Sequence, residues 1–169
     1  MSFSIDGKTV IVTGAANGIG AALARHFAEN GANVMCADID EKALKKDLGE
    51  SADDSNVRYF AGDLREKLTL ANLLSATVDA FDRVDVLVNA SRQMATTDPL
   101  DMDDETVDKL LQQNLMTSLR LSQMVAKRMI KQDEEQDHEF AGTIINLSSI
   151  AARLTQPELL AYSVSTAAL

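Results

Sequence analysis

The sequence predicts an α/β fold in which a doubly wound parallel sheet lies between two layers of helices. Strand-like and helix-like segments alternate along the whole chain, as they do in βαβ units. The strand-like segments, such as Thr9–Val12 and Val84–Val88, are almost continuously apolar, which is typical of parallel strands buried on both faces. With 169 residues and 46% hydrophobic content, residues 1–169 can form one domain with a sizeable core.

The first half of the chain provides three strands and three helices. The strand Thr9–Val12 leads through a glycine-rich turn into a helix that ends at Asn30-Gly31, a common C-terminal stop signal. Further elements are a strand at 32–37, a helix from Glu41 to about Gly49, a loop over 50–56, a strand at Val57–Ala61 and a helix from about Glu66 to Phe81. The last helix is predicted from apolar residues that recur on one face.

The second half continues the alternation. The predicted elements are a strand at Val84–Val88, a loop at Asn89–Leu100, a long helix from about Asp103 to Lys131, a strand at Thr143–Leu147, a loop at Ser148–Pro157 and a helix from near Leu159. The segment Gln132–Phe140 is acidic and lacks periodicity, so we predict an exposed insertion there. The βαβ order requires right-handed crossovers between the parallel strands.

Charge and composition exclude several classes of function. A net charge of −10 argues against binding to nucleic acid or to an anionic membrane. No apolar run approaches the length of a membrane-spanning helix, and the N-terminus has no signal-peptide pattern. Cys36 is the one cysteine, which excludes a disulfide framework, and His26 and His138 are too scattered to predict a metal site. We therefore expect a cytoplasmic protein without a metal.

The glycine-rich turn at Thr13–Gly20 predicts a phosphate-binding site. It joins a strand to a helix, so unpaired N–H groups and the positive end of the helix dipole are available to a pyrophosphate. Glycines allow the sharp turn, the close approach of a ligand and the tight packing of helix on strand. The alternative is a plain turn without a ligand. The candidate cofactor contacts are Gly14, Asn17, Gly18, Ile19 and Gly20.

Asp38 strengthens the prediction of a dinucleotide. It lies 18 residues beyond Gly20, at the end of the second strand, where its carboxylate can accept the hydroxyls of the adenosine ribose. The alternative is a cap on the helix that starts near Glu41. The carboxylate would repel a 2′-phosphate, and no Arg or Lys stands at 15–17 or just after Asp38 to offset this. NAD is therefore favoured over NADP, and Ile39 is a further candidate contact.

From Lys8 to the C-terminus the sequence resembles the short-chain dehydrogenases/reductases of the non-extended type. The spacing TGxxxGxG at Thr13–Gly20 is that family's version of the glycine motif. The strand ending at Ser149, Tyr162 thirteen residues later and Asn114 in the long helix match the active-site residues of the family. The resemblance implies a Rossmann-like fold and hydride transfer between NAD and an alcohol or carbonyl substrate.

The resemblance also implies roles for individual residues. Tyr162 would exchange a proton with the substrate oxygen, Ser149 would hydrogen-bond that oxygen and Asn114 would hold a water in a proton relay. Without the resemblance, these could be a surface tyrosine, a loop hydroxyl and a solvent-facing helix residue. By the same resemblance Asp63 contacts the adenine, and the implied cofactor contacts are Asp63, Leu64, Asn89, Ala90 and Tyr162.

Three departures from the family pattern bear on catalysis. Thr166 stands where the family has a lysine four residues after the tyrosine, and the family's Asn-Asn-Ala-Gly loop appears as residues 89–92, Asn-Ala-Ser-Arg. The chain also stops at Leu169, two turns into the helix of Tyr162, before the family's remaining helices, strands and substrate lobe. The rival functions are a non-catalytic NAD-binding fragment or pseudo-enzyme, and a structural partner, against which the intact glycine loop counts. Substrate identity and homo-oligomerisation stay open.

Overall fold

The computed structural model describes residues 4–48, 56–136, 141–154 and 156–169. Its centre is a parallel sheet of five strands in the order β3-β2-β1-β4-β5. The strands are β1 (Thr9–Thr13), β2 (Asn33–Asp38), β3 (Val57–Ala61), β4 (Val86–Asn89) and β5 (Thr143–Asn146). From β1 the chain adds β2 and β3 on one side and β4 and β5 on the other. The sheet is therefore doubly wound, as the sequence predicts.

Helices cover both faces of the sheet. They are α1 (Gly18–Glu29), α2 (Glu41–Leu48), α3 (Lys67–Phe81), α4 (Thr106–Leu110), α5 (Thr117–Gln136) and α6 (Leu160–Ala167). A wider π-type turn at Leu111–Met116 joins α4 to α5, and short 3₁₀ turns lie at Ile150–Ala152 and Pro157–Leu159. Within these described ranges, no helix is both long and apolar enough to cross a membrane.

The alternation of side chains along β1 divides the core into two halves. Val10 and Val12 pack on one face with Ala24 of α1, whereas Ile11 packs on the other with Leu70 of α3 and with α5. All five residues of β1 are buried, because this strand is central and covered on both sides. The three-layer αβα arrangement is therefore confirmed.

Cys36 lies within the first of these core halves, on β2. Burial raises the pKa of its thiol from 9.0 to about 12, since the interior disfavours the thiolate. The thiol is therefore protonated at neutral pH, and Cys36 acts as a small buried apolar residue rather than as a nucleophile.

The prediction of an exposed insertion at Gln132–Phe140 is wrong where the structure describes this segment. Helix α5 continues to Gln136, and Gln132 is buried. Its Oε1 accepts a hydrogen bond from the Val84 N–H at 3.0 Å, and its Nε2 donates to the Val84 carbonyl at 2.9 Å. The glutamine thus satisfies main-chain groups just before β4. Residues 137–140 lie outside the described residues.

Other predicted boundaries shift by a few residues. Strand β4 begins at Val86 rather than Val84, and the helix predicted from Asp103 begins at Thr106. The polar loop at 50–56 lies outside the described residues, except for Asn56. None of these shifts moves the carboxyl ends of the strands, where the candidate site lies.

Candidate functional site

One cavity of about 670 Å³ lies at the carboxyl edge of the sheet, beside the ends of β1, β2, β4 and β5. In open parallel sheets ligands bind at this edge, where the strand order reverses. Nine of the residues predicted from the sequence line it: Gly14, Asn17, Ile19, Gly20, Asp38, Ile39, Ala90, Ser149 and Tyr162. The cavity therefore joins the predicted cofactor residues to two of the three predicted catalytic residues.

The glycine loop is shaped by close backbone contacts. Gly14 has φ +69°, and a Cβ added to it would lie only 2.7 Å from the Ser91 Cα. A Cβ on Gly20 would collide with the carbonyl oxygen of Gly14. At Gly18, the first residue of α1, φ is +54° and an added Cβ would meet nothing within 4 Å, so this side of the turn is open.

Asp38 lies at the end of β2 and lines the cavity. Its Oδ2 accepts from the Ala16 N–H at 3.1 Å and its Oδ1 from the Asp40 N–H at 3.0 Å. These bonds fix the carboxylate beside the glycine loop and leave each oxygen a further lone pair. The side chain that caps α2 is Asp40, whose Oδ1 accepts from the Ala43 N–H at 3.0 Å. The alternative role of Asp38 as the cap of this helix therefore lacks support.

Asp63 and Arg65 form an ion pair after β3. The Nη2 of Arg65 lies 2.5 Å from Oδ2 of Asp63, and its Nε lies 2.9 Å from Oδ1. The guanidinium holds the pKa of the Asp63 carboxyl below its usual value. Arg65 lines the cavity, whereas Asp63 is not among the lining residues, and Leu64 is buried in the core. The predicted adenine contact is thus paired with Arg65, and of these two residues only Arg65 lines the cavity.

The segment after β4 is held in place by Thr13, at the end of β1. The Oγ1 of Thr13 accepts hydrogen bonds from the N–H groups of Ala90 and Ser91, both at 3.1 Å. Asn89 is buried and is not among the residues that line the cavity. Its Nδ2 donates to Asn146 Oδ1 at 2.8 Å and to Ser122 Oγ at 3.0 Å. Asn89 therefore ties β4 to β5 and α5, while Ala90 lines the cavity.

Asn114 lies in the π-type turn and is buried, outside the cavity lining. Its Oδ1 accepts from the Gln93 N–H at 2.8 Å, and its Nδ2 donates to the Gln93 carbonyl at 2.9 Å and to Ser165 Oγ at 3.0 Å. Both amide hydrogens are thereby used. The side chain joins the loop after β4 to α6, and only Oδ1 retains capacity for a water. The π-type geometry widens the helix at this point.

Ser149 and Tyr162 face the same cavity from two different elements. Ser149 follows β5, and its Oγ accepts from the Ala151 N–H at 3.2 Å, which caps the short 3₁₀ turn. Its hydroxyl hydrogen has no acceptor among the described residues. Tyr162 is half-buried on α6. Ser148 ties the end of β5 to α6, since its Oγ donates to the Thr166 carbonyl at 2.8 Å.

Thr166 does not line the cavity. It is buried, and its Oγ1 lies 2.9 Å from the carbonyl oxygen of Tyr162 and 3.3 Å from that of Ser163. The hydroxyl therefore bonds to its own helix, as threonines often do. No positive charge is supplied to the cavity from this position.

Seven residues of the cavity lining are not predicted from the sequence. These residues are Arg65, Ser91, Arg92, Gln93, Gln113, Leu147 and Ser148. Most lie within five residues after a predicted strand end, and this position after β3, β4 or β5 is the signal that the sequence offers. Among the described residues, no group of three or more His, Cys, Asp or Glu side chains could hold a metal ion.

Comparison with known proteins identifies the class to which this fold and site belong. The family model "short chain dehydrogenase" matches residues 8–169, so the chain belongs to the short-chain dehydrogenase family. It is 33% identical over 168 residues to a D-threitol dehydrogenase from Mycolicibacterium smegmatis, with 96% of this chain and 60% of the relative covered. It is 29% identical to an NAD-dependent glycerol dehydrogenase from Listeria innocua, covering 99% and 62%.

A solved structure agrees with this family assignment. A short-chain dehydrogenase/reductase from Burkholderia phymatum, in complex with NAD, matches with a TM-score of 0.85 and 27% identity, covering 99% of this chain and 58% of that one. The chain thus spans about 60% of the length of the relatives it matches.

Proposed function

We propose that this chain is the NAD-binding part of an oxidoreductase that transfers a hydride between a nicotinamide and an alcohol or carbonyl substrate. The observation that carries the proposal is that the glycine loop, Asp38, Ser149 and Tyr162 line the same cavity. Cofactor-binding and proton-transferring groups must share one cavity for hydride transfer to occur beside a proton donor.

The residues of the cavity fit a dinucleotide. The open turn at Gly18 and the start of α1 suit a pyrophosphate, because the first N–H groups of the helix have no partner within it. The fixed carboxylate of Asp38 suits the two hydroxyls of the adenosine ribose. When bound, the nicotinamide supplies the hydride acceptor or donor. Relatives with NAD in their names or structures support this choice of cofactor.

Ser149 and Tyr162 supply the polar groups for the reacting oxygen. The hydroxyl of Ser149 has no acceptor among the described residues, so it can donate a hydrogen bond to an oxygen in the cavity and stabilise charge that develops on it. The phenol of Tyr162 can exchange a proton with the same oxygen. The names of two relatives, which act on D-threitol and glycerol, support a small hydroxylated substrate.

Calorimetric titration with NAD⁺ and with NADP⁺ tests the cofactor. We expect NAD⁺ to bind at least about tenfold more tightly, because Asp38 would repel a 2′-phosphate and Arg65 is already paired with Asp63. The variant Asp38→Asn should reduce this preference while binding is retained, since the pyrophosphate site is separate. Tighter binding of NADP⁺ would overturn the proposal.

A second candidate function is NAD binding without catalysis, and it is favoured by Thr166. A buried, neutral side chain bonded to its own helix cannot bring a positive charge to Tyr162 or to a ribose. Losing that help should cost several kcal/mol, or on the order of a thousandfold in turnover. We expect little or no NADH formation or consumption when absorbance is followed at about 340 nm, the nicotinamide band, over a panel of alcohols and ketones. Robust turnover by the 169-residue chain would exclude this candidate.

A further inference from the structure

Arg92 is a charged group in the cavity that neither the cofactor nor the proton-transfer role uses. It lines the cavity, and its Nη1 is buried without a hydrogen-bond partner. Most buried polar atoms are paired, because an unpaired one loses hydration without compensation. A guanidinium donates up to five hydrogen bonds in a planar fork that matches carboxylate and phosphate groups.

The other charged groups of the lining already have partners. Asp38 accepts two main-chain hydrogen bonds, and Arg65 is paired with Asp63. Arg92 has no ion pair within the part of the chain that the structure describes. It therefore brings to the cavity a positive charge that forms no ion pair with the described residues, in a protein whose net charge is −10. Such a charge favours an anionic ligand.

The backbone on both sides of Arg92 is fixed. The N–H of Ser91 is bonded to Thr13, and both main-chain groups of Gln93 are bonded to the Asn114 side chain. An arginine between two anchored neighbours starts from a defined Cα position, which lowers the entropic cost of binding through its side chain.

These anchors also define the surroundings of Arg92. On one side, Ser91 lies against Gly14 of the glycine loop, where a pyrophosphate is expected. On the other side, Asn114 connects Gln93 to Ser165, on the helix that carries Tyr162. An oxyanion near Arg92 can thus come from the pyrophosphate of the cofactor or from a carboxylate on the substrate.

We propose that Arg92 is an oxyanion-binding residue of this cavity, with the pyrophosphate of the cofactor or a carboxylate of a hydroxy or oxo acid as its ligand. The proposal rests on the proposed function for the identity of the cavity. Binding through Arg92 requires rotation of its side chain so that the buried Nη1 meets the oxyanion. The ligand then provides the partner that the protein does not.

The test is calorimetry with two probes, inorganic pyrophosphate and malonate, on the free protein and with NADH present. We compare the wild type with Arg92→Gln, Arg92→Lys and the control Arg25→Gln, which removes an equal charge from an exposed position on α1. At least one probe should bind the wild type, and Arg92→Gln should weaken it by about 10- to 100-fold, as expected for a lost charge-assisted hydrogen bond. Arg92→Lys should retain part of the affinity and Arg25→Gln all of it.

The two sources of the oxyanion give different patterns. Weaker pyrophosphate and NAD⁺ binding with unchanged malonate binding assigns Arg92 to the cofactor. Weaker malonate binding with unchanged NAD⁺ affinity assigns it to a substrate carboxylate. The proposal is overturned if neither probe binds the wild type, or if Arg92→Gln, shown by its melting curve to be folded, binds both as well as the wild type does. If the wild type does not bind NAD⁺, this result would instead contradict the proposed function.

Discussion

Gly7 and Gly14 share the same backbone φ, +69°, but have different surroundings. A Cβ on Gly7 would meet nothing within 4 Å, whereas one on Gly14 would press on the backbone of Ser91 and Ala90. The backbone conformation explains the preference for glycine at both positions. Of these two glycines, only Gly14 has the close contact as an additional requirement, and this contact comes from the loop that lines the cavity.

This difference predicts unequal effects of the same substitution. Gly7→Ala should cost about 1–2 kcal/mol of stability, the strain of a left-handed backbone conformation. Gly14→Ala should cost more and should also weaken NAD⁺ binding, because the loop at Ala90 and Ser91 must move. Urea unfolding and NAD⁺ titration of both variants measure this. Equal losses of stability with unchanged NAD⁺ binding would show that the contact between Gly14 and Ser91 does not shape the site.

At the scale of elements, Asn114 connects the loop after β4 to α6, and through α6 to Tyr162. Its three hydrogen bonds reach Gln93 and Ser165, in segments far apart in the sequence. The geometry of Asn114 supports a positioning role, in which the amide fixes two walls of the cavity. The water relay that the family resemblance implies would have to use the remaining lone pair of Asn114 Oδ1 or main-chain groups.

We predict that Asn114→Ala lowers the free energy of unfolding by about 1–3 kcal/mol, because it removes both hydrogen bonds to the main chain of Gln93 and the one to the buried Ser165 hydroxyl. Hydrogen exchange of the Gln93 amide should become faster. Gln112→Ala is the matched control, since Gln112 lies on the same π-type turn but is exposed. If both variants unfold alike and Gln93 exchange is unchanged, Asn114 does not hold these elements together.

The elements themselves could be predicted well from the sequence where their signal is local. Strands β1, β2 and β4 are predicted from apolar runs, and their assignment to a parallel sheet follows from the intervening helices. The burial of Gln132 could not be predicted, because a glutamine is polar and in the sequence looks like a surface residue. Its burial depends on the main-chain groups of Val84, 48 residues away in sequence, which no local pattern reveals.

In the whole molecule, some features of the candidate site can likewise be predicted from local sequence patterns, whereas others depend on contacts between distant residues. Topology brings the carboxyl ends of β1, β2, β4 and β5 to one edge, so the position of Asp38 relative to the glycine loop could be anticipated. The pairing of Arg65 with Asp63 and the unpaired Nη1 of Arg92 could not, because they depend on side-chain conformations and on packing. These two arginines determine which positive charges the cavity offers to a ligand.

We propose that one cavity binds a single NAD molecule, with Asp38 at one end and Ser149 and Tyr162 at the other. A crystal structure of this chain grown with NAD⁺ tests it most directly. We predict that the hydroxyls of the adenosine ribose lie within hydrogen-bonding distance of the Asp38 carboxylate, with the pyrophosphate at the glycine loop and the nicotinamide beside Tyr162. A dinucleotide bound elsewhere, or one in this cavity with its adenosine end at Tyr162, would contradict the account.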